Sequence, residues 1–401
     1  LSSSIHLHFL FLKVVLALTL ALVHSSTLES DIQVLQSLKR SIDPISISSS
    51  SYLDSWDFSL DPCETTGGKF LGVLCTLPSD NSTTRILELD LDGIGYDGFL
   101  TPSIGNLMEL TILNLSKNKF RGPIPDSIVK LVKLTRLSLS ENYFTASIPA
   151  GISNLQWLET IDLSHNKLSG SIPDKIVGLR RLTALSLSSN GLSGRIPDLM
   201  GMWHLNTLDL DTNQLYGNLP KLPVNLRTLS LSHNLLSGHI SGLRNLKNLR
   251  SLDLSDNRFS GSIGREILML PQLVFINVSV NRFTAMEMAN FAGMDTQLQV
   301  LDVQGNSLHG RLPISLVTVQ NLLSINLARN QFYGTIPSEY GLRLGNPWRS
   351  LFLDYNFLTG SLPPQFNSTR TRIRGSLANN CLHCPMNIPL CRGGQRPALE
   401  C

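Results

Sequence analysis

The chain has 401 residues, 42% hydrophobic and only 16% charged, a balance that argues against disorder. Its net charge of +3 argues against a dedicated nucleic-acid binder. That charge is uneven: residues 25–64 carry seven Asp or Glu against Lys39 and Arg40, whereas residues 341–401 carry seven Arg against Asp354 and Glu400. A basic end can attract acidic polysaccharide or a lipid surface, although a solvated cap is the plainer reading.

At the N-terminus Lys13 precedes the ten-residue apolar run VVLALTLALV, followed by the small residues Ser25 and Ser26. The run is too short for a membrane span of about 20 residues and fits a secretory signal peptide over residues 1–25. No later segment is apolar for 18 or more residues, so membrane attachment is expected only through a segment outside this chain. The expected location is secreted or at the cell surface.

Residues 26–84 read as an N-terminal cap holding Cys63 and Cys75, an obvious local pair. Residues 367–401 read as a C-terminal cap holding Cys381, Cys384, Cys391 and Cys401. An even cysteine count behind a signal peptide points to disulfides, and the last four allow three connectivities. Cys381-Leu-His383-Cys384 also has the spacing of half a zinc site, but an oxidising compartment favours disulfides, so no metal is expected.

Between the caps, residues 85–366 repeat one phrase, L-x-x-L-x-L-x-x-N. Its Asn falls at 118, 142, 166, 190, 213, 234, 257, 281, 306, 330 and 356. An earlier copy, Ile86–Leu91, has Ile94 where Asn is expected, which makes twelve copies. In Leu113-Asn114-Leu115 the leucines face inward and Asn114 outward, because side chains alternate along a strand. One such turn cannot bury its leucines alone, whereas stacked turns share a core and a parallel sheet. The recurring Asn is expected to turn inward and bond the backbone of adjacent turns, a loss of roughly 1–3 kcal/mol if unsatisfied. Strands ~4.8 Å apart over eleven steps make a concave sheet roughly 50 Å long, a surface rather than a pocket.

Most copies continue with Gly-x-Ile/Leu-Pro, as in Gly122-Pro-Ile-Pro125 and Gly170-Ser-Ile-Pro173. Ala146 replaces this Gly in the third copy, the ninth reads RFTAMEMANFAGMDTQ after Asn281, and the twelfth is lengthened by residues 341–349. Met286, Met288, Phe291 and Met294 in the ninth copy are expected on a local helix packed against the convex side, with an exposed partner site as the alternative.

A period of 20–29 residues with this pattern is identified as the leucine-rich repeat, and its Gly-x-x-Pro continuation resembles the plant extracellular class. The front of the chain, Asp31-x3-Leu35-x2-Leu38-Lys39, Leu53-x2-Trp56, Asp61-Pro62-Cys63 and Gly72-Val73-x-Cys75, resembles that family's N-terminal cap. Phe70 stands where the family commonly has Trp, and the Cys63–Cys75 spacing is longer than usual. The resemblance implies an α/β-type solenoid: a right-handed superhelix of about twelve repeats, a parallel concave sheet, a second short strand in each turn, and disulfide caps at both ends.

Between the paired leucines the concave face presents Asp90, Asn114, Ser138, Asp162, Ser186, Asp209, Ser230, Asp253, Asn277, Asp302, Asn326 and Phe352. The flanking columns add Ile112, Arg136, Glu141, His165, His233, Phe275, Val280, Arg329 and Tyr355. Aromatics and Arg make good interface anchors, which favours the C-terminal half with Phe275, Val280, Phe352 and Tyr355. Sequons at Asn81, Asn114, Asn277 and Asn367 are glycosylation candidates, and Asn114 and Asn277 fall on the concave strands.

The sequence carries no H-E-x-x-H, G-x-S-x-G or phosphate-loop motif, so neither catalysis nor a cofactor is expected. Ser164-His165 and Ser232-His233 lie near Asp162 and Asp253 but occupy repeat positions. The family resemblance implies a receptor-like recognition protein that binds a peptide, protein or glycan ligand and signals through a co-receptor kinase. The alternatives are a secreted inhibitor of wall-degrading glycosidases, similar to polygalacturonase-inhibiting proteins, and a wall protein whose Arg-rich end grips pectin.

Overall fold

The computed structural model describes residues 27–64, 68–76, 83–288, 291–293, 296–367 and 373–401; the expected signal peptide, 1–25, and the sequon Asn81 lie outside them. Strand order follows chain order through a fourteen-stranded sheet. Its first strand, Val73–Cys75, runs antiparallel to Ile86–Asp90, and each later neighbour is parallel and in register, from Ile112–Asn114 to Arg374–Ser376. Leu113, Leu137, Ile161, Leu185, Leu208 and Leu229 stack beneath this sheet, all buried. The core is one continuous column of such residues from Val34 to Cys391.

The spine asparagines turn inward as expected and reach back one coil. Asn257 Nδ2 donates to the carbonyls of Leu254 and Ser255 in its own coil and of Leu231 in the preceding one, while its Oδ1 accepts from Leu236 N. The cross-coil bonds recur from Asn118 to Asn380, so the coils are stitched by inward amides, all buried except the half-buried Asn166 and Asn190. In the first coil Ile94 does not enter the core; it is 48% exposed. Tyr96 fills that space, its hydroxyl donating to Asp92 and accepting from Leu53 N.

The ladder extends one coil beyond the twelve copies, into the stretch assigned to the C-terminal cap. Asn380 completes it, and Arg374–Ser376 is a thirteenth parallel strand. The leucine signal fails there because Gly375 occupies the inward position. A Cβ on it would meet the Leu351 carbonyl at 1.9 Å, and Leu390 of the cap packs alongside.

The Gly-x-x-Pro segments form the second set of short strands, in ladders of three, six and four. Gly170 (φ +77°) shows why glycine is needed, and Ala146 holds the same left-handed turn at φ +63°. Short 3₁₀ helices such as Asp126–Lys130 and Asp174–Gly178 line the convex side. In the ninth copy no helix appears among the described residues: Arg282–Met286 is a strand paired with Arg258–Ile263. Phe291 is buried and Met286 and Met288 pack against the core, so the apolar residues are spent on packing; Met294 lies outside the described residues. In the lengthened turn Tyr340 and Trp348 pack edge to face at 5.0 Å inside the core.

At the N-terminal end the helix Glu29–Arg40 lays Val34, Leu35 and Leu38 on the first coil. Buried Asp31 ties it down through Arg85, at 2.9 and 3.1 Å, and Ile86 N. Phe70 stacks on Trp56 at 6.2 Å. Cys63 bonds Cys75, and the C-terminal pairs are Cys381–Cys401 and Cys384–Cys391. All six cysteines are thus held by each other, which leaves no thiolate at the half zinc site.

Candidate ligand-binding surface

The residue before each spine asparagine is the point where the chain bends off the strand. That bend needs a left-handed conformation: Lys117, Glu141, His165, His233, Arg329 and Tyr355 have φ between +50° and +60°. Val280 sits there at +52°, unusual for a β-branched side chain. The bend turns the column outward, so Glu141, His165, His233, Val280, Arg329 and Tyr355 are all exposed.

The candidates fall into separate clusters. Glu141 and His165 line one depression of about 530 Å³ with Asn118, Asn142 and Tyr143, while Lys167 Nζ lies 4.9 Å from the Tyr143 ring centre. Arg136, on the strand two residues before Ser138, is exposed and joins neither ring pair nor ion pair among the described residues. His233 stands between two carboxylates, 3.4 Å from Asp211 and 3.8 Å from Asp256. Buried Ser232 donates to the same Asp211 oxygen, and Ser164 donates to Asp162 at 2.6 Å. In neither pair does the serine bond the histidine, so no general base activates it.

Toward the C-terminus, Arg329 and Tyr355 of adjacent coils stack, with the guanidinium carbon 4.5 Å from the ring centre. Phe352 replaces the usual polar filler beside Asn326. Val280 and Tyr355 are 49% and 41% exposed, whereas Phe275 is half-buried between Ser251 and Val300. Sequence reasoning missed Tyr333 and Phe357, exposed on the outer strands next to this face; Arg396 covers the Phe357 ring at 4.4 Å. It also missed Asp354, whose Oδ1 is buried without a hydrogen-bond partner. Burial pushes its carboxyl up, and the Arg329 charge opposes the shift only in part. Burial also raises the Asp302 carboxyl, with repulsion from Asp253 as a smaller cause.

The sequon amides on this face are engaged. Asn114 Nδ2 donates to Asp90 at 2.8 Å and Asn277 Nδ2 to Asp253 at 3.2 Å, so a glycan on either would leave a single amide hydrogen for this cross-strand bond. The side chain of Asn367 lies outside the described residues. The Arg-rich end is partly internal: Arg343 donates to the Val317 carbonyl, and Arg396 to those of Asn356 and Asn379.

Thirteen parallel strands, a buried asparagine ladder and a capped first coil define a solenoid with one open face. The fold is a leucine-rich repeat solenoid, similar to those of plant receptor-like proteins and receptor ectodomains. Leucine-rich repeat models match residues 109–131, 133–192, 225–246 and 248–270, and the leucine-rich repeat N-terminal domain matches 28–76. Among relatives, Receptor-like protein 35 of Arabidopsis thaliana is 38% identical over 145 residues, 35% of this chain and 15% of that protein. Among solved structures, the plant peptide hormone receptor RGFR1 in complex with RGF2 aligns with a TM-score of 0.65 at 30% identity, over 74% of this chain and 54% of that one. A plant ice-binding protein aligns with a TM-score of 0.51 at 26% identity, over 91% and 98%. The chain therefore spans about half of the receptor ectodomain and a small part of the curated relative. Among the described residues no helix is long and apolar enough to cross a membrane.

Proposed function

We infer that this chain is a ligand-recognition ectodomain whose concave face receives an extended extracellular peptide along its C-terminal coils. The observation that carries the reading is the pairing of Arg329 with Tyr355, with Phe352 on the same coil as Tyr355 and exposed Val280 two coils before Arg329 in the same column. Between them these side chains offer a stacked cation, two rings and an exposed aliphatic group, on a sheet whose other fillers are small and polar. Anchors of this kind carry most of the energy of an interface. An extended peptide suits an open surface about 58 Å long, twelve strand steps of about 4.8 Å, better than a compact ligand does. The likeness to an ectodomain solved with a peptide hormone supports the same class of ligand. Signalling through a partner kinase belongs to this reading, since recognition on an open sheet performs no chemistry by itself.

The test is titration of the purified chain against a library of synthetic secreted peptides by calorimetry. A peptide that binds should lose roughly tenfold or more in affinity on Arg329→Ala or Tyr355→Ala, the scale of an anchor residue. Arg136→Ala should leave it within about twofold. Equal losses at both ends, or none at either, would refute the placement.

A further inference from the structure

Away from the concave sheet, each coil turns over a lateral edge just before its strand. The edge segments 153–159, 177–183, 200–206, 221–227 and 244–250 hold seven Lys or Arg and a single carboxylate, Glu159. Among the described residues Arg180, Arg181, Arg227, Lys247 and Arg250 are exposed and none takes part in an ion pair. The coil ladder fixes their neighbourhood. Arg250 N donates to the Arg227 carbonyl at 2.8 Å, His204 Nδ1 meets the Arg180 carbonyl at 2.8 Å, and Asn225 Nδ2 meets that of Trp203 at 2.7 Å. Interleaved with the cations are two indoles, Trp157 and Trp203, 50% and 57% exposed. The line runs on into a groove of about 520 Å³ lined by Arg250, Pro271, Gln272, Val274 and Gln297. The concave face is the opposite in sign, with Asp162, Asp209, Asp211, Asp253 and Asp302 along it.

We propose that this lateral edge is a second binding surface, for a linear polymer of uronate sugars, independent of the concave reading. Unpaired cations on three of four successive coils, with Trp203 on the fourth, match a chain with a carboxylate on each residue, and an exposed indole gives a flat apolar face on which a pyranose ring stacks. The acidic concave face repels the same polymer, so the two surfaces take different occupants. An anionic membrane shares the charge requirement but not the rest. Arg181 lies over the Trp157 ring at 3.9 Å, so that indole cannot enter an apolar lipid layer without carrying a guanidinium with it.

The experiment measures retention of the folded chain on immobilised polygalacturonate across a salt series. Wild type should bind, release as salt rises through the screening range, and ignore the fully methyl-esterified polymer. The edge variant Arg227→Gln/Lys247→Gln/Arg250→Gln should weaken binding roughly tenfold or more. A control that removes the same charge elsewhere, Lys117→Gln/Arg282→Gln/Arg311→Gln, should stay within about twofold. Trp203→Ala should release at lower salt than wild type. Because every substituted side chain is exposed, unchanged melting curves certify the fold. Equal loss in edge and control variants would overturn the proposal by reducing it to net charge. So would absence of binding at low salt, or phosphatidylserine vesicles binding wild type at least as tightly as polygalacturonate and losing it in the edge variant.

Discussion

The spine and the concave face use the same side chain in opposite ways. Asn257 in the spine is buried, and its amide closes the gap between two coils through four backbone groups. Asn326 on the concave face is half-exposed, donating to Asp302 at 2.9 Å and accepting from Ala328 N at 3.2 Å. Water can replace the bond of Asn326 to half-exposed Asp302, whereas nothing replaces those of Asn257. Position relative to solvent, rather than residue type, separates scaffold from recognition surface, and so the spine repeats while the face varies.

The sharpest break of that comparison is Asn257→Ala against Asn326→Ala. The first strands the Leu231 carbonyl and Leu236 N in the core and should cost about 2–5 kcal/mol. The second loses only two bonds, one of them to the half-exposed Asp302 carboxylate, and should cost about 1 kcal/mol. Urea unfolding of the two variants measures both. A solenoid is held by nearest-neighbour interfaces, so Asn257→Ala should also lower the slope of the transition by splitting the cooperative unit. Equal costs would mean that the ladder does not hold the coils together.

This contrast also governs what the sequence disclosed. The coils were legible because burial imposes the same leucine and asparagine at the same depth in each, from Leu113 to Asn356. The thirteenth coil was not, because Gly375 gives its inward place to Leu390 from outside the repeat. The C-terminal disulfide pairing was open for a similar reason: it depends on how the cap folds back, which no spacing encodes. On the recognition face, Arg329 and Tyr355 could be placed in one column, but their stacking depends on a shared left-handed bend that residue type does not announce. Asp354 gave no signal at all, since an Asp reads as surface until its Oδ1 is found buried.

A smaller effect comes from that bend. A side chain with a Cβ pays roughly 1–2 kcal/mol in the left-handed region, and asparagine is among the residues that tolerate it best. Val280 is both β-branched and 49% exposed, so it gains little burial in return. Val280→Asn should therefore stabilise the chain by about 1 kcal/mol, read as a rise in melting temperature. If the concave C-terminal half holds the ligand, the same variant should bind it more weakly. A stable variant with undiminished peptide affinity would remove Val280 from the recognition surface while leaving the spine untouched.

The smallest effect tests the electrostatics of the face. Asp302 is half-buried, with its carboxyl raised first by burial and then by Asp253, against the bonds from Gln304 N and Asn326. A carboxyl raised on folding means that the folded chain holds the proton more tightly than the unfolded one. Its favourable contribution is complete below the unfolded value of about 3.9 and is lost as pH climbs through the folded value. Wild type thus carries the burial penalty at pH 7 and sheds it on acidification. Asp302→Ser keeps a small polar filler, as Ser138 and Ser230 do in the same column, and has no charge to bury. Its melting temperature relative to wild type should therefore be highest at pH 7 and fall as pH drops toward 4. A difference that stays constant over that range would show that the Asp302 carboxylate is solvated, and that its place on the sheet costs the fold nothing.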